Sequence, residues 1–248
     1  MPLVAGVDGR RGGWAVALVT TSGERDDSPA AGRNGGGAGE VVDVRWVDVP
    51  GQDADGFARV LAIAEDAAAV GVDCPIGLPR DAWRPCDLAA KRRLGAASAR
   101  VFLAPPRAVL DAVPYAAARA LAREMLAGRG VSAQTYGLRG IVLAVDDVLR
   151  RRGNGPDVVE VHPELSFMAL AGRAPGDPLP SKKTPAGRVA RTAALASWVP
   201  DVAGVAPLGD DGLDALATAW SACRWARGVA EVLGGELDEQ ALPMRMVI

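Results

Sequence analysis

Cysteine and histidine are scarce in this chain of 248 residues, which has three cysteines, Cys74, Cys86 and Cys223, and a single histidine, His162. The cysteines form no CxxC pair and no Cys/His cluster, which argues against a disulfide framework or a zinc site and leaves three buried thiols as the expectation. No stretch of about 18 apolar residues occurs. The start has no basic segment leading into an apolar run, so neither secretion nor membrane insertion is expected, and the cytoplasm is the expected compartment. A Ser-His-Asp hydrolase would have to use His162, yet no G-x-S-x-G elbow is present. The Walker A pattern G-x-x-x-x-G-K-[ST] is also missing, and no internal repeat is found.

What is present is a chain with 49% hydrophobic residues, ample for a core, and an uneven distribution of charge. The net charge is −2, but residues 80–191 carry 19 Lys/Arg against 10 Asp/Glu, leaving 9 against 20 in the two flanks. The basic middle can offer Lys91, Arg92, Arg93, Arg100, Lys182, Lys183, Arg188 and Arg191 to phosphates. The same residues can equally be solvated helix faces, because no aromatic residues alternate with them as a stacking platform would require.

Hydrophobic periodicity predicts strands over residues 3–7 and 14–20, joined by the glycine-rich turn 9–13, and a third strand over 41–49. Residues 22–40, with Gly35-Gly36-Gly37, read as a flexible hairpin tip. A helix over 57–69 and a short buried strand over 70–73 follow, and a helix between strands makes the fourth strand parallel to the first. A helical insertion occupies about 80–152, with breaks near Pro105-Pro106, Pro114 and residues 128–130. Then come a strand over 158–161, a helix over 164–171, a Pro/Gly-rich loop to Pro180, helices over 185–198 and 211–232, and an edge strand over 242–248. This order is that of an α/β, RNase H-like fold, in which a mixed five-stranded sheet is flanked by helices within one domain spanning residues 1–248.

In that arrangement the first and fourth strands are neighbours, so Asp8 and Asp73 meet at one end of the sheet. The closing helix opens with Asp210, Asp211 and Asp214, one of which is expected to cap it. Leu213, Leu216, Ala217 and Trp220 form its apolar stripe, which leaves Asp211 and Asp214 on an adjoining face. Carboxylates this close repel one another unless a cation lies between them, which points to Mg²⁺ or Mn²⁺ held by Asp8, Asp73 and Asp214, with Glu160 or Asp211 completing the shell. His162 is either a packed imidazole on a backbone hydrogen bond or, beside the metal, a general base or a phosphate contact. Lys182 and Lys183 precede a helix N-terminus suited to an anion. With Arg188, Arg92 and Arg93 they form the candidate phosphate contacts.

Several linked motifs, in order, carry a family resemblance. They are Val7-Asp8-Gly9 with Gly12-Gly13-Trp14-Ala15-Val16-Ala17, then Val72-Asp73-Cys74-Pro75-Ile76-Gly77-Leu78-Pro79, then Glu160-Val161-His162-Pro163-Glu164-Leu165-Ser166-Phe167, Lys182-Lys183-Thr184, and Asp210-Asp211-Gly212-Leu213-Asp214-Ala215. Over nearly its whole length the chain resembles the domain-of-unknown-function 429 family of predicted RNase H-like nucleases. The resemblance implies that fold and a nuclease activity. Residues 211–217 are also similar to the closing-helix motif of RuvC-type Holliday-junction resolvases, whose paired aspartates bind metal.

The leading expectation is therefore a metal-dependent nuclease acting on DNA or RNA. Two alternatives stay open. An actin-like ATP-dependent phosphotransferase would use Asp8 for Mg²⁺ and the turn 9–13 for phosphate, and a non-catalytic nucleic-acid- or protein-binding module would keep the fold alone.

Overall fold

The computed structural model describes residues 1–22, 38–50, 53–202 and 208–248. Its main sheet holds β1 (Leu3–Arg10), β2 (Gly13–Thr21), β3 (Gly39–Asp48), β4 (Ala69–Asp73) and β5 (Asp157–Glu160), in the order β3-β2-β1-β4-β5. β2 is antiparallel to both β1 and β3, whereas β4 is parallel to β1 and β5 to β4. This is the RNase H-like sheet that the order of elements implies. The expected flexible tip falls mostly on residues 23–37, which lie outside the described residues.

The crossover from β3 to β4 is α1 (Ala54–Ile63), which starts earlier than its periodicity suggests because Asp53 caps it by accepting from Gly56 N at 2.8 Å. The insertion between β4 and β5 comprises α2 (Pro85–Leu94), a 3₁₀ segment (Gly95–Arg100), α3 (Arg107–Asp111), α4 (Tyr115–Met125), α5 (Ala133–Gly137) and α6 (Arg139–Arg151). Pro106 and Pro114 stand immediately before α3 and α4, where the missing N–H costs nothing. After β5 come α7 (Pro163–Leu170), α8 (Pro185–Ala196) and α9 (Gly209–Ala226).

Two expectations are corrected at the end of the chain. α9 stops at Ala226 rather than 232, because Gly228 takes a left-handed conformation (φ +70°) that terminates the helix. Residues beyond it form β6 (Val232–Leu237), which pairs antiparallel with β7 (Pro243–Val247) in a second sheet. The last strand is thus a hairpin partner, and a bridge between Val161 and Val247 ties it to the residue after β5.

Alternation along the strands divides the core. Ala5, Val7, Val16, Val70 and Val72 point to the side covered by α1 and α6. Val4, Ala15, Ala17, Val19 and Ala69 point to the side covered by α9, with α7, α8 and α2 outside it. α9 sits against the sheet with almost nothing between them. A Cβ on Gly6 would lie 1.9 Å from Ala215 O and 2.4 Å from Ala219 N, and one on Gly71 would lie 2.3 Å from Thr218 O. Gly6 and Gly71 are register partners on β1 and β4, so the helix backbone rests on a two-glycine seat at the sheet centre. From Asp214 to Cys223 every residue of α9 is buried. No helix among the described residues is long and apolar enough to cross a membrane.

Because the atoms crowding Gly6 are backbone, they cannot yield as a flexible side chain would. Gly6→Ala is expected to cost about 1–3 kcal/mol or more, lowering Tm by about 2–4 °C for each kcal/mol in a chain of this size. Gly153→Ala, where the added carbon meets nothing within 4 Å, is the control and should melt close to the parent. A Gly6→Ala protein as stable as the control would show that α9 does not rest on the strand.

Candidate active site

Two residues beyond the glycine seat, on the same face of the sheet, stand Asp8 and Asp73, which are also register partners. Asp214 precedes Ala215, whose carbonyl overlies Gly6, so the seat that brings α9 down also brings the third carboxylate in. Asp8 and Asp214 are 7% and 4% exposed. Burial, then the neighbouring Asp73 and Asp214, push the Asp8 carboxyl well above the usual carboxylate range. Burial also raises Asp73, with His162, a hydrogen bond shared with Asp8, and Lys182 pulling the other way. Asp214 is pushed up to about 7 by burial against the opposing pull of Lys182. The Lys182 ammonium lies 2.5 Å from Asp214 Oδ2, and the charges of Asp8 and Asp73 act on it too. Three acids therefore share one ammonium. Among the described residues no three His, Cys, Asp or Glu side chains stand close enough, as they lie, to hold a metal ion.

The other expected ligands are placed differently. Glu160 pairs in register with Val72, so the two-residue period sends its side chain to the α1/α6 face, opposite Asp73. There it accepts from Arg84 Nη1 at 2.6 Å, Arg84 Nη2 at 2.7 Å and Ile76 N at 2.7 Å. Arg84, wholly buried, also bonds both oxygens of Asp87 and the Ile76 carbonyl at 3.1 Å. Glu160 thus helps to hold the loop that leaves β4, and the expectation of it as a metal ligand is set aside. Asp211 is paired with Arg10 at 2.5 Å, and Asp210 with Arg188 at 3.4 Å. Neither caps α9, whose N-cap position is Leu208 with no side-chain hydrogen bond.

His162 Nε2 lies 3.3 Å from the Arg100 carbonyl, and its buried Nδ1 has no hydrogen-bond partner among the described residues. Of the expected phosphate contacts, Lys183, Arg188 and Arg92 are exposed. Arg93 is tied to Glu231 at 2.8 Å, and Lys91 to the Ser98 and Val101 carbonyls at 2.7 and 2.8 Å. Sequence reasoning missed the pairing of Lys182 with Asp214. It also missed the role of Glu164, which receives Arg191 Nη2 at 2.7 Å on each oxygen and Arg100 Nη1 at 2.8 Å. No local signal could have found either, since the partners are separated by 27 to 64 residues.

The model of the family described as "Protein of unknown function (DUF429)" matches residues 6–239. The chain belongs to the DUF429 family. No curated protein matches it. Among solved structures, this DUF429 chain is similar to one described as "Thermus thermophilus RuvC structure", at 16% identity and a TM-score of 0.44, covering 92% of this chain and 97% of that one. It is also similar to "T. thermophilus RuvC in complex with Holliday junction substrate", at 15% identity and the same TM-score, covering 92% and 98%.

The raised carboxyls of this DUF429 chain have a consequence for stability. A carboxyl whose pKa in the folded state exceeds its unfolded value contributes stability at acid pH that is lost as pH rises through the folded pKa. Chelator-treated protein should therefore gain stability from this site as pH falls through about 7, where Asp214 takes up its proton, and Asp8→Asn should remove part of the repulsion. Asp8→Asn is expected to melt above the parent at pH 8 and to lose that advantage by pH 5, measured by thermal unfolding in EDTA. An Asp8→Asn protein less stable than the parent at pH 8 would show that the three carboxylates do not oppose one another.

Proposed function

We propose that this DUF429 protein is a divalent-metal-dependent nuclease that hydrolyses phosphodiester bonds in DNA or RNA, working in the cytoplasm from a single RNase H-like domain. The observation that carries the reading is the convergence of Asp8, Asp73 and Asp214, from two adjacent strand ends and the helix seated on them, with too little positive charge to neutralise them. A set of hard oxygen donors in that condition fits Mg²⁺ or Mn²⁺. The Lys182 ammonium, lying against Asp214 and acting on the other two, marks the place of a cation. When bound, such an ion lowers the pKa of an attacking water and stabilises the charge that develops on the departing 3′ oxygen.

The chain's own residues do the rest. Asp8, Asp73 and Asp214 hold and orient the ion, and the glycine seat keeps them rigid. His162 stands close enough for its charge to act on Asp73, where it can accept or return a proton. Lys182, Lys183 and Arg188 flank the start of α8, whose first turn is capped by Thr184, and supply positive charge for substrate phosphates. Arg92 is exposed on α2 and can extend this surface.

The phosphotransferase reading loses its main support. A Cβ on Gly9 would strike the Trp14 ring at 2.4 Å, and one on Gly13 would lie 2.2 Å from Val47 O and 2.8 Å from the Trp46 ring. Packing accounts for these two glycines without a phosphate. A purely structural or binding module would have no use for three buried acids that repel one another.

The test is cleavage of single-stranded, duplex and branched DNA and RNA oligonucleotides in Mn²⁺. Asp73→Asn, which keeps the shape and loses the charge, is expected to cut at least about 100-fold more slowly while melting no lower than the parent. Cleavage unchanged by the substitution would contradict the assignment. ATP binding with no oligonucleotide binding at low salt would replace it with the phosphotransferase.

A further inference from the structure

The segment that carries Lys182 is fixed to a degree that an ordinary loop lysine would not need. Arg191, 1% exposed, donates from Nη1 to the Pro180 carbonyl at 2.8 Å and from Nη2 to both oxygens of Glu164. Arg100 donates to the Leu179 carbonyl at 2.9 Å. The Ser181 carbonyl accepts from Thr184 N at 2.9 Å and from Thr184 Oγ1 at 2.8 Å. It also lies 2.0 Å from where a Cβ on Gly187 would be, so only glycine at that position lets α8 and the segment meet. The three residues before Lys182 are therefore fixed by their carbonyls, Leu179 by Arg100, Pro180 by the buried Arg191 and Ser181 by the start of α8. The Lys182 side chain, 40% exposed, reaches from this anchored backbone to a carboxylate that is 5% exposed.

This combination separates what is fixed from what can move. The backbone cannot withdraw without losing the hydrogen bonds from Arg191 to the Pro180 carbonyl and from Arg100 to the Leu179 carbonyl, whereas the ammonium can swing into solvent at little cost beyond the ion pair itself. Resting on the metal-dependent reading above, we propose that Lys182 is an intramolecular competitor for the divalent ion: its ammonium occupies Asp214 until a cation displaces it, and so sets how much metal the site requires. The cation and the ammonium seek the same oxygens, and their like charges oppose joint occupancy. No bond is made or broken in the exchange; an ion pair with Asp214 is replaced by coordination of the ion.

The experiment is titration of Mn²⁺ into the chelator-treated, full-length parent, Lys182→Met and Lys182→Arg, followed by calorimetry and by the electron paramagnetic resonance signal of free Mn²⁺. Lys182→Met keeps the length of the side chain and removes the charge. It is expected to bind Mn²⁺ about tenfold more tightly or better, and to melt below the parent in EDTA because the three carboxylates lose their one ammonium. Lys182→Arg should bind Mn²⁺ much as the parent does. Equal or weaker Mn²⁺ binding by Lys182→Met, with the parent binding normally, would overturn the proposal and leave the metal-dependent reading standing. No Mn²⁺ binding by any of the three proteins would overturn both.

Discussion

The contact between the α9 backbone and the bare surface of Gly6 and Gly71 is the constraint on which the rest of this structure depends. Side chains on a sheet normally fill the space between the strands and a helix packed over them. Here two neighbouring strands each lack one at the same register position, and the helix descends until its carbonyl and amide groups would collide with a single added carbon. The segment Gly6-Val7-Asp8 is repeated as Gly71-Val72-Asp73, and both copies align in the parallel pair. The glycine of each copy admits the helix, the valine is buried on the opposite face, and the aspartate points to the face where Asp214 lies, near enough for the charges to act on one another. Position and chemistry are thus set by the same three residues, used twice.

The two faces of the sheet treat buried charge in different ways. Away from the three acids, Glu160 on the α1/α6 side and Asp87 on α2 receive charge-assisted hydrogen bonds from Arg84, and the backbone amides of Ile76 and Ala104 complete their partners. Such a network fixes a loop and leaves little unmet demand. On the α9 side, three acids share Lys182, with His162 contributing to Asp73, and burial drives all three toward the protonated form. A fold does not gain stability from that arrangement. A site that must attract a cation does.

Much of this was legible in the chain itself. Apolar runs ending in Asp8 and Asp73, with a helix between the third and fourth strands, were enough to place both carboxylates at one end of a mixed sheet, and the acidic opening of the last helix pointed to Asp214. The face of Glu160 was not legible. A period of two says only that Glu160 and Val161 point opposite ways, and which of them joins Asp73 depends on a register with Val72 that no local pattern encodes. The end of α9 was misplaced because helical periodicity carried past Gly228, although that glycine and Gly234-Gly235 were the available signal for a break. The ion pair of Lys182 with Asp214 spans 32 residues and two connections. The repeated Gly-Val-Asp was the signal for the helix seat, since a glycine two residues before each aspartate marks a shared face with no side chain on it.

The central claim is that Asp8, Asp73 and Asp214 form one cation site in which Lys182 holds the place of the ion. Its most direct test is a crystal structure of the full-length protein grown with Mn²⁺, with the ion located by anomalous scattering. The account predicts Mn²⁺ coordinated by oxygens of Asp8, Asp73 and Asp214, with Lys182 turned away from Asp214 and Glu160 still paired with Arg84. Mn²⁺ bound elsewhere, or found at the sheet end with the Lys182–Asp214 pair intact, would contradict it.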